Sequence, residues 1–147
     1  KVLKDFGIDF TIMVCSAHRT PDKAAEFSRK AEQNGYDAII AAAGKAAHLP
    51  GVLAAYTVLP VIGLPIKSST LDGLDSLLSI VQMPAGVPVA TVAINGSENA
   101  GLLAVRIVAG KYPELRDKLR QFKEDMKKSV EEKDKRLNNK LNGHYYA

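Results

Sequence analysis

Cysteine is nearly absent from this chain: Cys15 stands alone among 147 residues. An internal disulfide is therefore excluded, and no cysteine cluster offers a zinc site. Cys15 lies in the apolar run Ile12-Met13-Val14-Cys15, where a free cysteine is expected as a packed strand residue rather than a nucleophile. Long hydrophobic runs are also missing. Nothing approaches the roughly 18 to 20 apolar residues that a membrane span requires, and no charged-then-apolar signal segment opens the chain, so a soluble cytoplasmic protein with no membrane partner is expected. Charge of one sign is not concentrated near any motif. Lys/Arg and Asp/Glu balance at nine each through residue 110, and the net charge of +4 arises from eleven against seven in the remainder. Interleaved charges along one helical stretch make a solvated face rather than a phosphate-tracking groove, which argues against nucleic acid as a partner.

What is present fits one globular domain: 46% of residues are hydrophobic and 24% charged. Strand-like and helix-like segments alternate. Residues 10–15 are rich in β-branched and aromatic types and predict a strand. Thr20 is placed to cap a helix that carries Pro21 and Asp22 in its first turn, Ala24, Phe27 and Ala31 on one stripe, and Gly35 as its stop. Further strands are predicted at 37–42, 61–64 and 88–94. Helices are predicted near 48–57, from a cap at Thr70 or Asp72 to about 82, over 97–109, and over 113–137. In the last of these, Leu115, Leu119, Phe122, Met126 and Val130 form a narrow amphipathic stripe that must pack on something. Residues 138–147, with His144, read as a frayed tail, leaving 1–137 as a single domain.

Strands alternating with helices imply a parallel sheet covered on both faces, a three-layer α/β sandwich. In the flavodoxin-like order 2-1-3-4-5 the first strand is central. Here residues 1–6 followed by Gly7 read as the last turns of a helix, so that first strand is expected to be missing from residues 1–147. A chain starting at Lys1 would leave two sheet edges unpaired, and about 20 further residues (a strand, a turn and most of a helix) are expected upstream.

Two turns stand out. Ser16-Ala17-His18-Arg19-Thr20-Pro21 and Ala46-Ala47-His48-Leu49-Pro50-Gly51 each set a histidine after a strand-like run and before a helix-like one. In open α/β sheets that is the crevice where ligands bind, beside helix N-termini. Together with Asp75-Ser76-Leu77-Leu78-Ser79-Ile80-Val81-Gln82-Met83-Pro84, these segments resemble the class I 5-(carboxyamino)imidazole ribonucleotide mutases of purine biosynthesis, also called the catalytic subunit of phosphoribosylaminoimidazole carboxylase. The resemblance runs from about Gly7 to Leu137.

The resemblance implies an isomerase without metal or organic cofactor. It moves a carboxylate from the exocyclic nitrogen of an aminoimidazole ribonucleotide to ring carbon 4, by decarboxylation and recapture of the trapped carbon dioxide. His18 then matches the general acid and base, a role suited to a group that gives and accepts protons near neutrality. Arg19 matches the phosphate-binding residue, its planar fork holding two oxygens. Ser16 either hydrogen-bonds substrate or caps its own turn. Ala43, Gly44, Lys45, Ala46, Ala47, His48 and Leu49 match the wall around the imidazole and the carbon dioxide pocket, where small residues let backbone approach a flat ring.

Lys45 stands where the family usually has glycine, and it either points to solvent or reaches for a substrate anion. The family's phosphate-binding Gly-Ser-x-Ser-Asp turn has no counterpart between residues 1 and 147. The resemblance also implies a homo-octamer with sites at subunit interfaces. Two alternatives stay open: direct carboxylation with free carbon dioxide, as in the animal class that usually carries Lys at the position of Arg19 and lacks the Ala-Ala-His-Leu-Pro-Gly loop, and a non-catalytic ligand-binding module.

Overall fold

A computed structural model describes residues 1–69 and 71–141 of the chain. Its sheet holds three parallel strands, β1 (Ile39–Gly44), β2 (Val61–Ile66) and β3 (Ala90–Thr91), in the order β1-β2-β3. The helices are α1 (Val2–Asp5), α2 (Pro21–Lys30), α3 (Leu49–Tyr56), α4 (Leu74–Val81), α5 (Ser97–Val108) and α6 (Glu114–Lys140). None of the described helices is long and apolar enough to cross a membrane.

The period-2 alternation of the strands divides the core. Ile39, Ala41 and Val61 pack with Ala24 of α2, Ala31 at its C-cap and Leu53 of α3. Ile62 and Leu64 turn the other way, onto Ala100 and Ala104 of α5. The sheet thus lies between two helical layers, as expected of a three-layer sandwich. Cys15 packs, partly buried, against the first cluster. Ser28, buried in α2, donates its hydroxyl hydrogen to the Leu53 carbonyl at 2.6 Å and so ties α2 to α3. Gly63 permits α4 to cross β2 closely, since a Cβ there would lie 2.3 Å from the Ile80 Cγ2 and 2.9 Å from the Val89 Cγ1.

Several boundaries differ from expectation. Residues 10–15 form no strand: they make no backbone ladder bonds, and Ile12 and Val14 are 82% and 86% exposed. In the order 2-1-3-4-5 this segment pairs only with strand 1, and no described segment takes that place. A strand needs a neighbour for its N–H and C=O groups, however strong its propensity. The segment 88–94 contributes two ladder residues only, Ala90 and Thr91, and Pro88 has no N–H with which to extend the pairing toward its start. Thr20 occupies the N-cap of α2, yet its Oγ1 bonds Ser16 rather than a helix N–H. The cap of α4 is Gly73, not Asp72; Thr70 lies outside the described residues.

The last helix continues through Lys140 rather than stopping near 137, and residues 142–147, including His144, lie outside the described residues. Its early stripe packs as expected. Leu115, Leu119 and Phe122 join Phe6, Val105 and Val108, with the Phe6 and Phe122 rings 5.9 Å apart. Farther along, Met126, Val130 and Leu137 are 48%, 64% and 49% exposed.

Candidate active site

The chemistry-bearing turns follow the unpaired segment 10–15 and the carboxyl end of β1. The first turn is built on Ser16: its Oγ accepts the N–H groups of His18 at 3.3 Å and Arg19 at 3.2 Å, and its carbonyl accepts the Thr20 N–H at 2.9 Å. The Ser16 N–H in turn donates to Thr20 Oγ1 at 2.8 Å. Ser16 is therefore the cap of its own turn, the local role that serine commonly takes, and its hydroxyl hydrogen is left to donate outward. The turn projects His18 and Arg19 into solvent. The Arg19 guanidinium makes no ion pair or hydrogen bond among the described residues.

The second turn follows β1. Gly44 pairs in register with Ile66, the last residue of β2, so residues 45–48 rise from the end of the sheet. Lys45 has φ 57°, the left-handed region that costs a residue with a Cβ on the order of 1 kcal/mol. Its ammonium is exposed and unpartnered among the described residues. Lys45→Gly is thus expected to stabilise the fold by up to about 1 kcal/mol, read as a rise in the urea midpoint; a fall would show that the turn is held by the lysine side chain. Ala47 turns inward and is 1% exposed, so only its backbone can face a ligand, while Ala43 is half-buried and Gly44 and Ala46 are exposed. Leu49 opens α3 and packs on the core.

His48, at the N-cap of α3, meets His18. His18 Nε2 and His48 Nδ1 are 2.9 Å apart, with ring centroids at 4.9 Å and an edge-on angle of 76°. Residues 30 positions apart are thereby joined by a direct hydrogen bond. The spacing of the motifs placed both histidines at this end of the sheet, but nothing in the sequence indicated their contact. Two further residues shape the rim. Met83 lies against Gly51 in the first turn of α3, where an added Cβ would sit 3.0 Å from its sulfur. This brings the segment after α4 beside the His48 turn. Asn95, at φ 57°, donates its N–H to the Pro65 carbonyl at 2.8 Å and accepts the Lys67 N–H on Oδ1 at 2.9 Å. It clasps the end of β2; its only sequence signal is the Asn-Gly turn pair.

No group of three or more His, Cys, Asp or Glu with metal-binding geometry occurs among the described residues. Two hollows, of about 300 and 380 Å³, lie at the opposite end of α3 around Thr57 and Val58, away from the histidines. The arrangement at the rim combines an exposed imidazole pair, an adjacent unpaired guanidinium and a small-residue loop. Such a site can bind an anion and move a proton.

The sequence pattern of the AIR carboxylase family matches residues 1–129. An N5-carboxyaminoimidazole ribonucleotide mutase of Pyrococcus horikoshii is 61% identical over 137 residues, which cover 93% of this chain and 77% of that protein. The enzyme of the same name from Thermotoga maritima is 59% identical, with 93% and 80% covered. Among solved structures, Treponema denticola PurE superposes with a TM-score of 0.81 at 29% identity, over 92% of this chain and 85% of that one.

Proposed function

The chain belongs to the AIR carboxylase family, and from that premise we propose that it is an isomerase of purine biosynthesis, converting 5-(carboxyamino)imidazole ribonucleotide to 4-carboxy-5-aminoimidazole ribonucleotide. The observation that carries this reading is the exposed His18–His48 pair at the end of the sheet, with the unpaired Arg19 guanidinium next in the chain. His18 moves the proton: it protonates the exocyclic nitrogen as carbon dioxide leaves, then removes the hydrogen from ring carbon 4 after that carbon has captured carbon dioxide. Arg19 holds the phosphate in a bidentate grip. Backbone of residues 43–49 walls the imidazole and the carbon dioxide, and Ser16 has a hydroxyl hydrogen free to meet the substrate. Once bound substrate covers these exposed residues, the small apolar wall favours loss of a charged carboxylate and retains the neutral gas.

Lys45 is read as solvent-facing, so Lys45→Gly keeps substantial turnover; complete loss would assign its ammonium to the substrate. The exposed residues Met126, Val130 and Leu137 continue the buried stripe of α6 and support contact with a second copy in a cytoplasmic homo-oligomer, for which an octamer is the expected form. The direct carboxylase is the second reading, and Arg19 with the Ala46–Gly51 loop favours the mutase over it. Supplying the carboxyamino substrate in bicarbonate-depleted buffer separates them. Formation of the 4-carboxy product at a rate that added bicarbonate does not raise supports the mutase; a rate that needs bicarbonate supports the carboxylase.

A further inference from the structure

A histidine that acts as general base is commonly oriented by a carboxylate, which accepts its second N–H and remains ionised. His18 is oriented differently. Its Nε2 meets another imidazole, the Nδ1 of His48, at 2.9 Å, and neither ring is ion-paired with a carboxylate among the described residues. Between two ring nitrogens at this distance there is room for one hydrogen, so the protonation patterns of the rings are linked. With the bridging hydrogen on His48 Nδ1, a neutral His18 carries its own hydrogen on Nδ1 and is a donor there. With the hydrogen on His18 Nε2, the His18 Nδ1 is bare and is a base. Moving one bridging hydrogen therefore switches His18 between the two roles that the proposed reaction demands. The two outer nitrogens, His18 Nδ1 and His48 Nε2, make no hydrogen bond among the described residues, and both rings are exposed.

We propose that His48 stores the reaction's proton and that His18 relays it. This rests on the assignment of His18 as the proton-transfer group. Before turnover the pair holds one positive charge on His48, with hydrogens on both of its nitrogens, while neutral His18 carries hydrogen on Nδ1. As the substrate's N–C bond breaks and carbon dioxide leaves, the electron pair remains on the exocyclic nitrogen. That nitrogen takes the His18 Nδ1 hydrogen, and the bridging hydrogen passes from His48 Nδ1 to His18 Nε2. The pair is now neutral. Ring carbon 4 then bonds to carbon dioxide, its hydrogen is taken by His18 Nδ1, and the Nε2 hydrogen returns to His48. One proton leaves the pair and one comes back, so no further acid or base is consumed.

Two variants separate storage from orientation. His48→Asn keeps a carboxamide near the position of Nδ1 and can hold the His18 ring, but it cannot carry a proton; His48→Leu can do neither. Turnover of the carboxyamino substrate is measured together with exchange of the ring carbon 4 hydrogen of aminoimidazole ribonucleotide in D₂O, followed by proton NMR, which reports proton transfer without carbon dioxide. Expected is a loss of at least about 100-fold in kcat and in exchange for both variants, with KM within a few-fold and the melting temperature unchanged because the ring is exposed. An asparagine variant with near wild-type kcat would overturn storage, whatever the leucine variant does. A wild-type chain that neither converts nor exchanges would overturn the functional reading itself, and the relay with it.

Discussion

Replacing His18 by asparagine is expected to lower kcat by about 10²–10⁴-fold, the usual contribution of a positioned acid or base, while KM for the carboxyamino substrate changes little. The split follows from what each residue of the turn does. Ser16 holds the turn through the backbone N–H groups of residues 18 and 19, and those bonds do not involve the His18 ring. On the proposed reading Arg19 holds the phosphate, and its place in the turn does not depend on the His18 ring, so ground-state binding is expected to survive. What disappears is an interaction made in the transition state, which lowers kcat and kcat/KM together. Steady-state kinetics with a matched binding measurement checks this; turnover within a few-fold of wild type would remove His18 from its role.

The largest expected effect on stability lies beneath the site, at Gly63 of β2. An added Cβ would stand 2.3 Å from the Cγ2 of Ile80 and 2.9 Å from the Cγ1 of Val89. Both neighbours are β-branched and stiff, and Ile80 is fully buried in α4. Gly63→Val is therefore expected to destabilise by about 3 kcal/mol, the upper end for overpacking a closed core. In a domain of this size that lowers the melting temperature by roughly 6 to 12 °C. Calorimetry or a thermal circular-dichroism melt measures it directly. An unchanged melting temperature would mean that α4 can move off the sheet without loss.

These two positions illustrate what the sequence made legible. The His18 and His48 turns could be read because helix-start signals and small residues flank them in short, contiguous motifs. The inward alanines Ala24 and Ala31 and the α/β alternation were equally local, whereas Gly35, read as the stop of α2, closes the turns that follow it, the helix itself ending at Lys30. The His18–His48 contact and the close crossing at Gly63 join elements distant in the chain, and local pattern carries no such distance. The failed strand at residues 10–15 makes the same point. Its β-branched residues have the propensity, but pairing is a property of the neighbour, and no described segment takes the place beside it. At 88–94 the pattern correctly marked an extended segment, while the number of ladder residues depended on how far it runs alongside β2.

Carboxylate transfer within a single site is the central claim, and the fate of the carbon atom tests it most directly. Substrate labelled with ¹³C in the carboxyamino group is turned over by the full chain in buffer containing excess unlabelled bicarbonate, and the product is followed by ¹³C NMR. The account predicts that most of the label appears in the carboxylate on ring carbon 4, because the carbon dioxide is recaptured behind the residue 43–49 loop before it escapes. Product carrying the unlabelled carbon of the buffer, at the same rate of turnover, would contradict it.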